Sequence, residues 1–385
     1  MKIGLIFIDL LRINLMNVYD TCNYENRIDR QIKKWGGCLY TNCYTPAPDT
    51  PRSMACLWSS RYPCDNGCDN RMKYPFYFLN KDNPDFLQLF MNNGYVVNSY
   101  IPETTEKVGI LPNCIKDHKK YFSSRNLVEF LDSIKIEDNS ITLFNFDDFH
   151  WAVSDCYAQK KHVNIGYEKM GEALELIEEK IGIDTFDVTI VFSDHGFKYR
   201  EEFAGNDYFK QLNGDRTKVF MFVHEKGDKK MNYNYKLCSI MDVYPTLCNY
   251  AGITYDRSGI KGIDLRDKEE YEYIILEDHK TFSALLTQTI EYWGIRTKKG
   301  LACINCDEVW AADYELTEDE KEKFVQLLEN EASCFIDNIR IQRAKEYYVE
   351  GLENNPLYWD LTPRKIRKPI KLILQEIKDK LKRFI

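Results

Sequence analysis

Residues 37–63 read GCLYTNCYTPAPDTPRSMACLWSSRYP, and the interpretation of the whole chain starts from this stretch. Residues 39–44 alternate as in a β-strand, and prolines at positions 46, 48 and 51 then force a turn. Residues 54–60 can form a helix. Thr50 is therefore expected just before a helix N-terminus, where unpaired N–H groups and the helix dipole favour an anion. The alternative is a proline-rich surface loop that is capped by Thr50.

Three further apolar runs end in polar residues. These are residues 3–8 before Asp9, residues 141–146 before Asp147, Asp148 and His150, and residues 187–192 before Ser193-Asp194-His195-Gly196. Because open α/β sheets place their ligands beyond the carboxyl ends of the strands, these side chains are candidates for a functional site. Each has a structural alternative, since an Asp can cap the next turn and a His can pack against neighbouring aromatic rings.

Adjacent Asp194 and His195 can offer a carboxylate oxygen and an imidazole nitrogen to one ion, while Gly196 lets the backbone turn tightly. A different metal site is also conceivable from the cysteine spacing. Cys64-x-x-x-Cys68 and Cys303-x-x-Cys306 could together supply four thiolates to zinc.

The stretch around Thr50 resembles the active-site signature of the sulfatase branch of the alkaline-phosphatase superfamily. In that signature a nucleophile is followed by x-Pro-Ser-Arg and then by Leu-Thr-Gly-Arg-x-Pro. Thr50 falls on the nucleophile, and Ser53, Arg61 and Pro63 fall on matching positions. Ser-Asp-His-Gly at 193–196 lies where the phosphatase and phosphotransferase members carry the same tetrapeptide. Residues 241–253 and 258–265 resemble a scaffold helix and the loop after it.

The departures from this pattern favour branches of the superfamily other than the true sulfatases. Thr50 cannot be converted to formylglycine, but a threonine alkoxide serves in the phosphodiesterase and phosphotransferase branches. Arg52 and Met54 stand where the signature has Pro and Arg, and Leu10 replaces a second Asp. The spacing of His150 from the preceding acids differs from that of two-metal phosphodiesterases. The resemblance thus implies a Thr nucleophile with a lean metal shell.

The resemblance also implies a fold and a domain division. We expect an α/β, alkaline-phosphatase-like three-layer fold with a central, mostly parallel sheet, plus a small C-terminal antiparallel sheet. Residues 1–265 would form the sulfatase-like catalytic domain, and residues 266–355 the antiparallel sheet and its helices. Residues 356–385 would form a basic amphipathic helical tail.

We predict that Asp9, Thr50, Asp194 and His195 hold a divalent metal ion. A site rich in hard oxygens with one His suits Mn, Mg or Ca, and Zn also fits. The ion would lower the pKa of the Thr50 hydroxyl, and the alkoxide would attack phosphorus in line. His150 and Lys210 are the candidates for stabilising oxygens or protonating the leaving group, and His279 could approach the site.

The expected function is a metal-dependent hydrolase or transferase that acts on phosphate, or also sulfate, esters of a glycan or lipid-linked substrate. One alternative is a sulfatase that works without formylglycine. Another is an inactive relative that binds an anionic glycan or lipid headgroup.

Composition bears on partners and compartment. The net charge of −8 argues against general binding of nucleic acid, and 13 cysteines without a signal peptide suggest reduced thiols in the cytoplasm. Residues 364–385 hold nine Lys or Arg and two Asp or Glu, so this tail carries +7 and the remainder −15. The tail could dock on the acidic body, or bind anionic lipid and place the protein at the inner membrane face.

Overall fold

The computed structural model describes residues 1–66, 68, 85–101, 122–124, 126–154, 160–197, 209–282, 287–305 and 308–332. Within these ranges the chain forms an eight-stranded sheet and a separate four-stranded sheet. The strands of the large sheet are β1 (Lys2–Ile8), β2 (Gly37–Tyr44), β3 (Val96–Tyr100), β4 (Phe122–Ser124), β5 (Ser140–Phe146), β6 (Val188–Ser193), β7 (Met221–Glu225) and β8 (Met231–Ser239).

The strand order of the large sheet brings the candidate residues to one edge. The order is β4-β3-β5-β1-β6-β7-β2-β8, and β1 pairs in parallel with both β5 and β6. Strand β7 is antiparallel to β6 and also to β2. Consequently β1, β2, β5 and β6 all run in the same direction, and their carboxyl ends meet at the same edge of the sheet.

Helices cover both faces of this sheet. They are α1 (Arg27–Trp35), α2 (Thr50–Ser59), α3 (Pro63–Asn66), α4 (Phe86–Asn92), α5 (Leu127–Ser133), α6 (Asp148–Ser154), α7 (Lys160–Lys180), α8 (Phe209–Leu212), α9 (Gly214–Thr217) and α10 (Val243–Ala251). Side chains alternate across β1, so that Leu5 and Phe7 join a core with α2, α4 and α10. Ile6 and Ile8 join a second core with α1, α5 and α7, which gives three layers.

The smaller sheet is antiparallel and has the order β12-β11-β10-β9. Its strands are β9 (Ile274–Phe282), β10 (Thr287–Arg296), β11 (Leu301–Asn305) and β12 (Trp310–Ala312), and helix α11 (Glu318–Glu331) follows. Phe324 and Leu328 of α11 are buried with Trp293 and Ile295 of β10. The Glu277 N–H of β9 donates to the Pro46 carbonyl at 2.8 Å, so this sheet adjoins the turn before Thr50.

The architecture confirms the predicted three-layer α/β fold with a mostly parallel central sheet and a small antiparallel sheet. Strand β8 was not predicted. It lies at one edge of the large sheet, and its first half carries Asn232, Asn234 and Lys236 between exposed tyrosines, so it lacks the apolar pattern of a buried strand.

Strand β9 starts at Ile274, within the region 266–355 that was predicted to hold the antiparallel sheet. The boundary at residue 265 stays a prediction, and the basic tail, 356–385, lies outside the described residues. Among the helices in the described ranges, none has both the length and the apolar composition that crossing a membrane requires.

Candidate active site

Thr50 is the first residue of helix α2 and is 8% exposed. Asp49 caps this helix, because its side chain accepts the Arg52 N–H at 3.3 Å. Pro51 follows in the first turn, where its missing N–H costs nothing. The prolines and the cap thus end β2 and start the helix within a few residues. This agrees with the predicted strand, turn and helix, and it excludes a surface loop at Thr50.

Two strand ends converge on the Thr50 hydroxyl. Its Oγ1 lies 3.2 Å from Asp9 Oδ1 and 3.2 Å from His195 Nε2. Asp9 follows β1 and His195 follows β6, and these strands are neighbours in the sheet. Parallel pairing therefore brings together residues that are far apart in the sequence.

One carboxylate oxygen of Asp194 accepts hydrogen bonds, and the other has no hydrogen-bond donor. Oδ1 accepts the backbone N–H groups of Leu10 at 3.0 Å and His195 at 2.8 Å. Oδ2 is buried without a hydrogen-bond partner and lies 3.4 Å from His195 Nε2. Burial, together with the nearby Asp9 charge, raises the pKa of Asp194 to about 6. Such an oxygen is costly in a folded protein unless a positive group meets it.

The ring of His195 is oriented by its own backbone neighbour. Its Nδ1 lies 2.7 Å from the Gly196 carbonyl, which can only accept, so Nδ1 carries the proton and donates it there. The lone pair of Nε2 then faces Thr50 and Asp194. A side chain at Gly196 would be impossible without a shift, because its Cβ would lie 2.1 Å from the Asp215 carbonyl oxygen. The glycine of the tetrapeptide is thus required by packing.

His150 joins the group through Asp9. Its Nδ1 donates to Asp9 Oδ2 at 3.0 Å, and its side chain is 35% exposed. Burial raises the pKa of Asp9, but the His150 hydrogen bond and charge outweigh it, and the net pKa is lowered. For His150, burial lowers the pKa, and the bond and charge of Asp9 more than reverse this. Both shifts favour a carboxylate paired with an imidazolium.

The residues present fit a divalent cation. Asp9, Asp194 and His195 each offer a ligand atom, and these atoms lie within 4.8 Å of one another. The Thr50 hydroxyl has one proton, yet it faces the acceptors Asp9 Oδ1 and His195 Nε2, and Asp194 Oδ2 also lacks a donor. One proton cannot satisfy three lone pairs, whereas a cation can.

The other residues that the sequence singled out, which are Ser53, Arg61, Pro63 and Asp147, make contacts elsewhere. Ser53 Oγ donates to the Asp194 carbonyl at 2.8 Å and so ties α2 to the end of β6. Arg61 donates to the Ser258 carbonyl at 2.5 Å, and Pro63 begins α3, so both contact scaffold. Asp147 accepts the indole N–H of Trp151 at 2.9 Å.

Several predictions cannot be placed. Lys210 lies in α8 and His279 lies in β9. The structure describes only the backbone of these two residues, so neither side chain can be placed relative to Thr50. Cys306 lies outside the described residues. Among the described residues, Cys64 donates its thiol to the Glu331 carbonyl at 3.1 Å, and Cys303 is buried in the smaller sheet. The four-thiolate zinc site stays a prediction.

Sequence reasoning missed a buried ion-pair network beside Thr50. Arg52 is fully buried, and its Nε donates to Asp49 Oδ2 at 2.7 Å and its Nη1 to Glu277 Oε1 at 3.1 Å. Arg216 pairs with Asp278, the residue after Glu277. Arg52 was noted only as a departure from the family pattern. Glu277-Asp278 directly follows an apolar run, and that was the available signal.

Comparison with known proteins bears on the fold. No protein-family model and no curated protein matches the sequence. Among solved structures, a 2-O GAG sulfatase is 14% identical, with 91% of this chain and 93% of that chain covered and a TM-score of 0.61. An alkaline phosphatase superfamily protein from Vibrio parahaemolyticus is 12% identical, with coverages of 91% and 88% and a TM-score of 0.55.

A phosphonate monoester hydrolase from Silicibacter pomeroyi is 10% identical, with 87% of this chain and 96% of that chain covered and a TM-score of 0.55. At such low identities the likeness is one of fold. The chain therefore has the fold of sulfatases and of the alkaline phosphatase superfamily, as the sequence around Thr50 predicted.

Proposed function

We propose that this protein is a metal-dependent hydrolase or transferase that acts on phosphate or sulfate esters with Thr50 as the nucleophile. The observation that carries the proposal is the convergence of four side chains at one sheet edge. The Thr50 hydroxyl, two carboxylates and an imidazole lie there with more acceptors than protons. Buried polar atoms are normally paired, so several acceptors that converge with too few donors favour a bound cation.

The chemistry follows from the positions of these residues. Thr50 Oγ1 forms a bond to phosphorus or sulfur, its proton passes to an adjacent acceptor, and the bond to the leaving oxygen breaks. The other ring nitrogen of His150, the one not bonded to Asp9, supplies a proton to that oxygen. Water or an acceptor hydroxyl then releases the group from Thr50. A divalent cation held by Asp9, Thr50, Asp194 and His195 would supply positive charge that lowers the pKa of the hydroxyl and offsets negative charge on the ester.

A sugar ester is the substrate class that the surroundings favour. Trp151 follows His150 on α6, is 43% exposed, and has its ring 5.7 Å from that of His150. Its indole N–H is bonded to Asp147, which holds the partly exposed ring beside His150, and an aromatic ring of this kind is a usual stacking partner for a sugar. One structural neighbour is a GAG sulfatase, which agrees with a ring-bearing anionic substrate. A lipid-linked phosphodiester at the inner membrane face is the alternative, and it would require the basic residues 364–385.

The test is turnover of three aryl esters: a bis-aryl phosphodiester, an aryl phosphomonoester and an aryl sulfate. Each is assayed after chelation and after addition of Mn, Mg, Ca or Zn. We expect turnover of at least one ester that requires metal, is lost in Thr50→Ala and is partly kept in Thr50→Ser. The absence of turnover with every metal would support the anion-binding alternative, and Thr50→Ala with wild-type activity would overturn the nucleophile assignment.

A further inference from the structure

Two adjacent acids of the smaller sheet lie against the turn that presents Thr50. Glu277 and Asp278, on β9, are 1% and 2% exposed. Buried acids of this kind are rare unless they are paired, and both are paired with arginines that also contact the turn.

Arg52 links Glu277 to the cap of helix α2. Its Nε and Nη2 lie 2.7 and 2.6 Å from Asp49 Oδ2, and its Nη1 lies 3.1 Å from Glu277 Oε1. The same guanidinium reaches Asp278 Oδ1 at 3.6 Å. Asp49 directly precedes Thr50, so this pairing holds one side of the residue we assign as the nucleophile.

Arg216 links Asp278 to the preceding part of the turn. Its Nη1 pairs with Asp278 Oδ2, and its Nη2 donates to the Pro48 carbonyl at 3.1 Å. The Glu277 N–H donates to the Pro46 carbonyl at 2.8 Å. The smaller sheet thus contacts the turn at Pro46, Pro48 and Asp49, directly or through one arginine.

We propose that Glu277 and Asp278 are positioning residues for Thr50, and that Arg52 and Arg216 carry their effect to the turn. The inference rests on the proposed function, since it assigns what holds that nucleophile in place. Arg52 is a departure from the resembled signature, which has proline at this position. The smaller sheet then serves the reaction without touching the reacting atoms.

The physical reason is that both arginines are rigid, planar donors with several N–H groups in fixed directions. Removing one acid leaves the buried guanidinium short of a partner, so Arg52 or Arg216 must shift and the turn must shift with it. A displacement of the reacting group by about 1 Å can lower the rate by about a hundredfold. Binding of substrate to other residues need not change.

The experiment compares Glu277→Gln and Asp278→Asn with Asp264→Asn in the full chain. Asp264 is also a buried acid, 5% exposed, and it pairs with Arg266 at 2.6 Å in the scaffold. We expect kcat to fall by about ten- to a hundredfold in the first two variants with KM changed by less than about threefold. Asp264→Asn should keep the wild-type kcat. Arg52→Lys should recover part of the activity that Arg52→Met loses.

A second readout does not depend on turnover. The methyl group of Thr50 is observed by NMR in protein with 13C-labelled threonine methyls, and its resonance is identified by its loss in Thr50→Ser. Glu277→Gln and Asp278→Asn should shift this resonance, and Asp264→Asn should not. If wild-type protein turns over no ester, the proposed function fails while this readout still decides the inference. Folded variants with an unshifted Thr50 resonance, or with wild-type kcat, would overturn it.

Discussion

Two pairs of buried acids lie close to the turn that carries Thr50, and they differ in what neutralises them. Asp9 and Asp194, at the edge of the large sheet, meet backbone N–H groups, imidazoles and a hydroxyl, and one oxygen of Asp194 has no donor. Glu277 and Asp278, in the smaller sheet, meet arginines. Acids held by fixed guanidinium groups maintain a structure, whereas acids that converge without enough protons can bind an exchangeable cation.

The largest effect should come from removing the atom on which the first pair converges. Thr50→Ala deletes the hydroxyl, and we expect kcat/KM to fall by at least about a thousandfold. Thr50→Ser is the matched control, because it keeps the hydroxyl and loses only a methyl group. The measurement is steady-state turnover of the best aryl ester. Equal activity of the two variants would contradict the comparison, since the hydroxyl would then have no role.

The second-largest effect should be on metal affinity, which substitutions in the first pair of acids should lower more than substitutions in the second pair. Asp194→Asn and His195→Ala each remove a ligand, so we expect Mn²⁺ to bind at least about a hundredfold more weakly, measured by calorimetry on chelator-treated protein. Asp278→Asn leaves Asp9, Asp194 and His195 in place and displaces only Thr50, so its loss of Mn²⁺ affinity should be smaller, at most about tenfold. A loss of the same size in Asp278→Asn would mean that the second pair also belongs to the metal site.

Substitution of Trp151 should raise KM for glycan esters and leave KM for small aryl esters unchanged. Trp151→Ala removes the exposed ring beside His150, and we expect KM for a sulfated or phosphorylated sugar to rise about fivefold, as a stacking contact of roughly 1 kcal/mol predicts. Trp151→Phe should keep much of the affinity because it keeps a ring. An unchanged KM in Trp151→Ala would count against a sugar stacked on this residue and would favour the lipid-linked alternative.

The smallest effect concerns another buried acid, Asp242, in the scaffold. Burial raises its pKa to about 7 from 3.8, and it accepts N–H groups of Ser239 and Ile263 at 2.9 Å each. The Tyr271 hydroxyl lies 2.6 Å from Asp242 Oδ1 and 3.0 Å from the Lys261 carbonyl, and it can donate its proton to either acceptor.

Because folding raises this pKa, the folded state binds a proton that the unfolded state has lost between about pH 4 and 7. The stability that this proton contributes is present below pH 4 and is lost as the pH rises towards 7. Urea unfolding of chelator-treated protein across this range should therefore show falling stability as the pH increases. Asp242→Asn should have a shallower slope. An unchanged slope would place the titration elsewhere, for example at Asp194.

Much of the fold could be predicted because it depends on local patterns. Continuous apolar runs marked β1, β5 and β6, and Asp or His directly after them marked the strand ends. Strand β8 was not predicted, because it lies at one edge of the sheet and has polar residues along half its length. The candidate site was predictable to the same degree, since Asp9, Asp194 and His195 each follow a strand that the pattern identifies.

The sequence alone determined which chemical groups stand at the strand ends, because hydrophobic periodicity and turn residues act over a few positions. Only the tertiary structure decided that the hydroxyl of Thr50 faces Asp9 and His195 at 3.2 Å. Only the tertiary structure likewise decided that Arg52 pairs with Glu277, which lies 225 positions later in the sequence. The physical reason is that such contacts depend on strand register and on the packing of one sheet against a turn, and no local pattern encodes either.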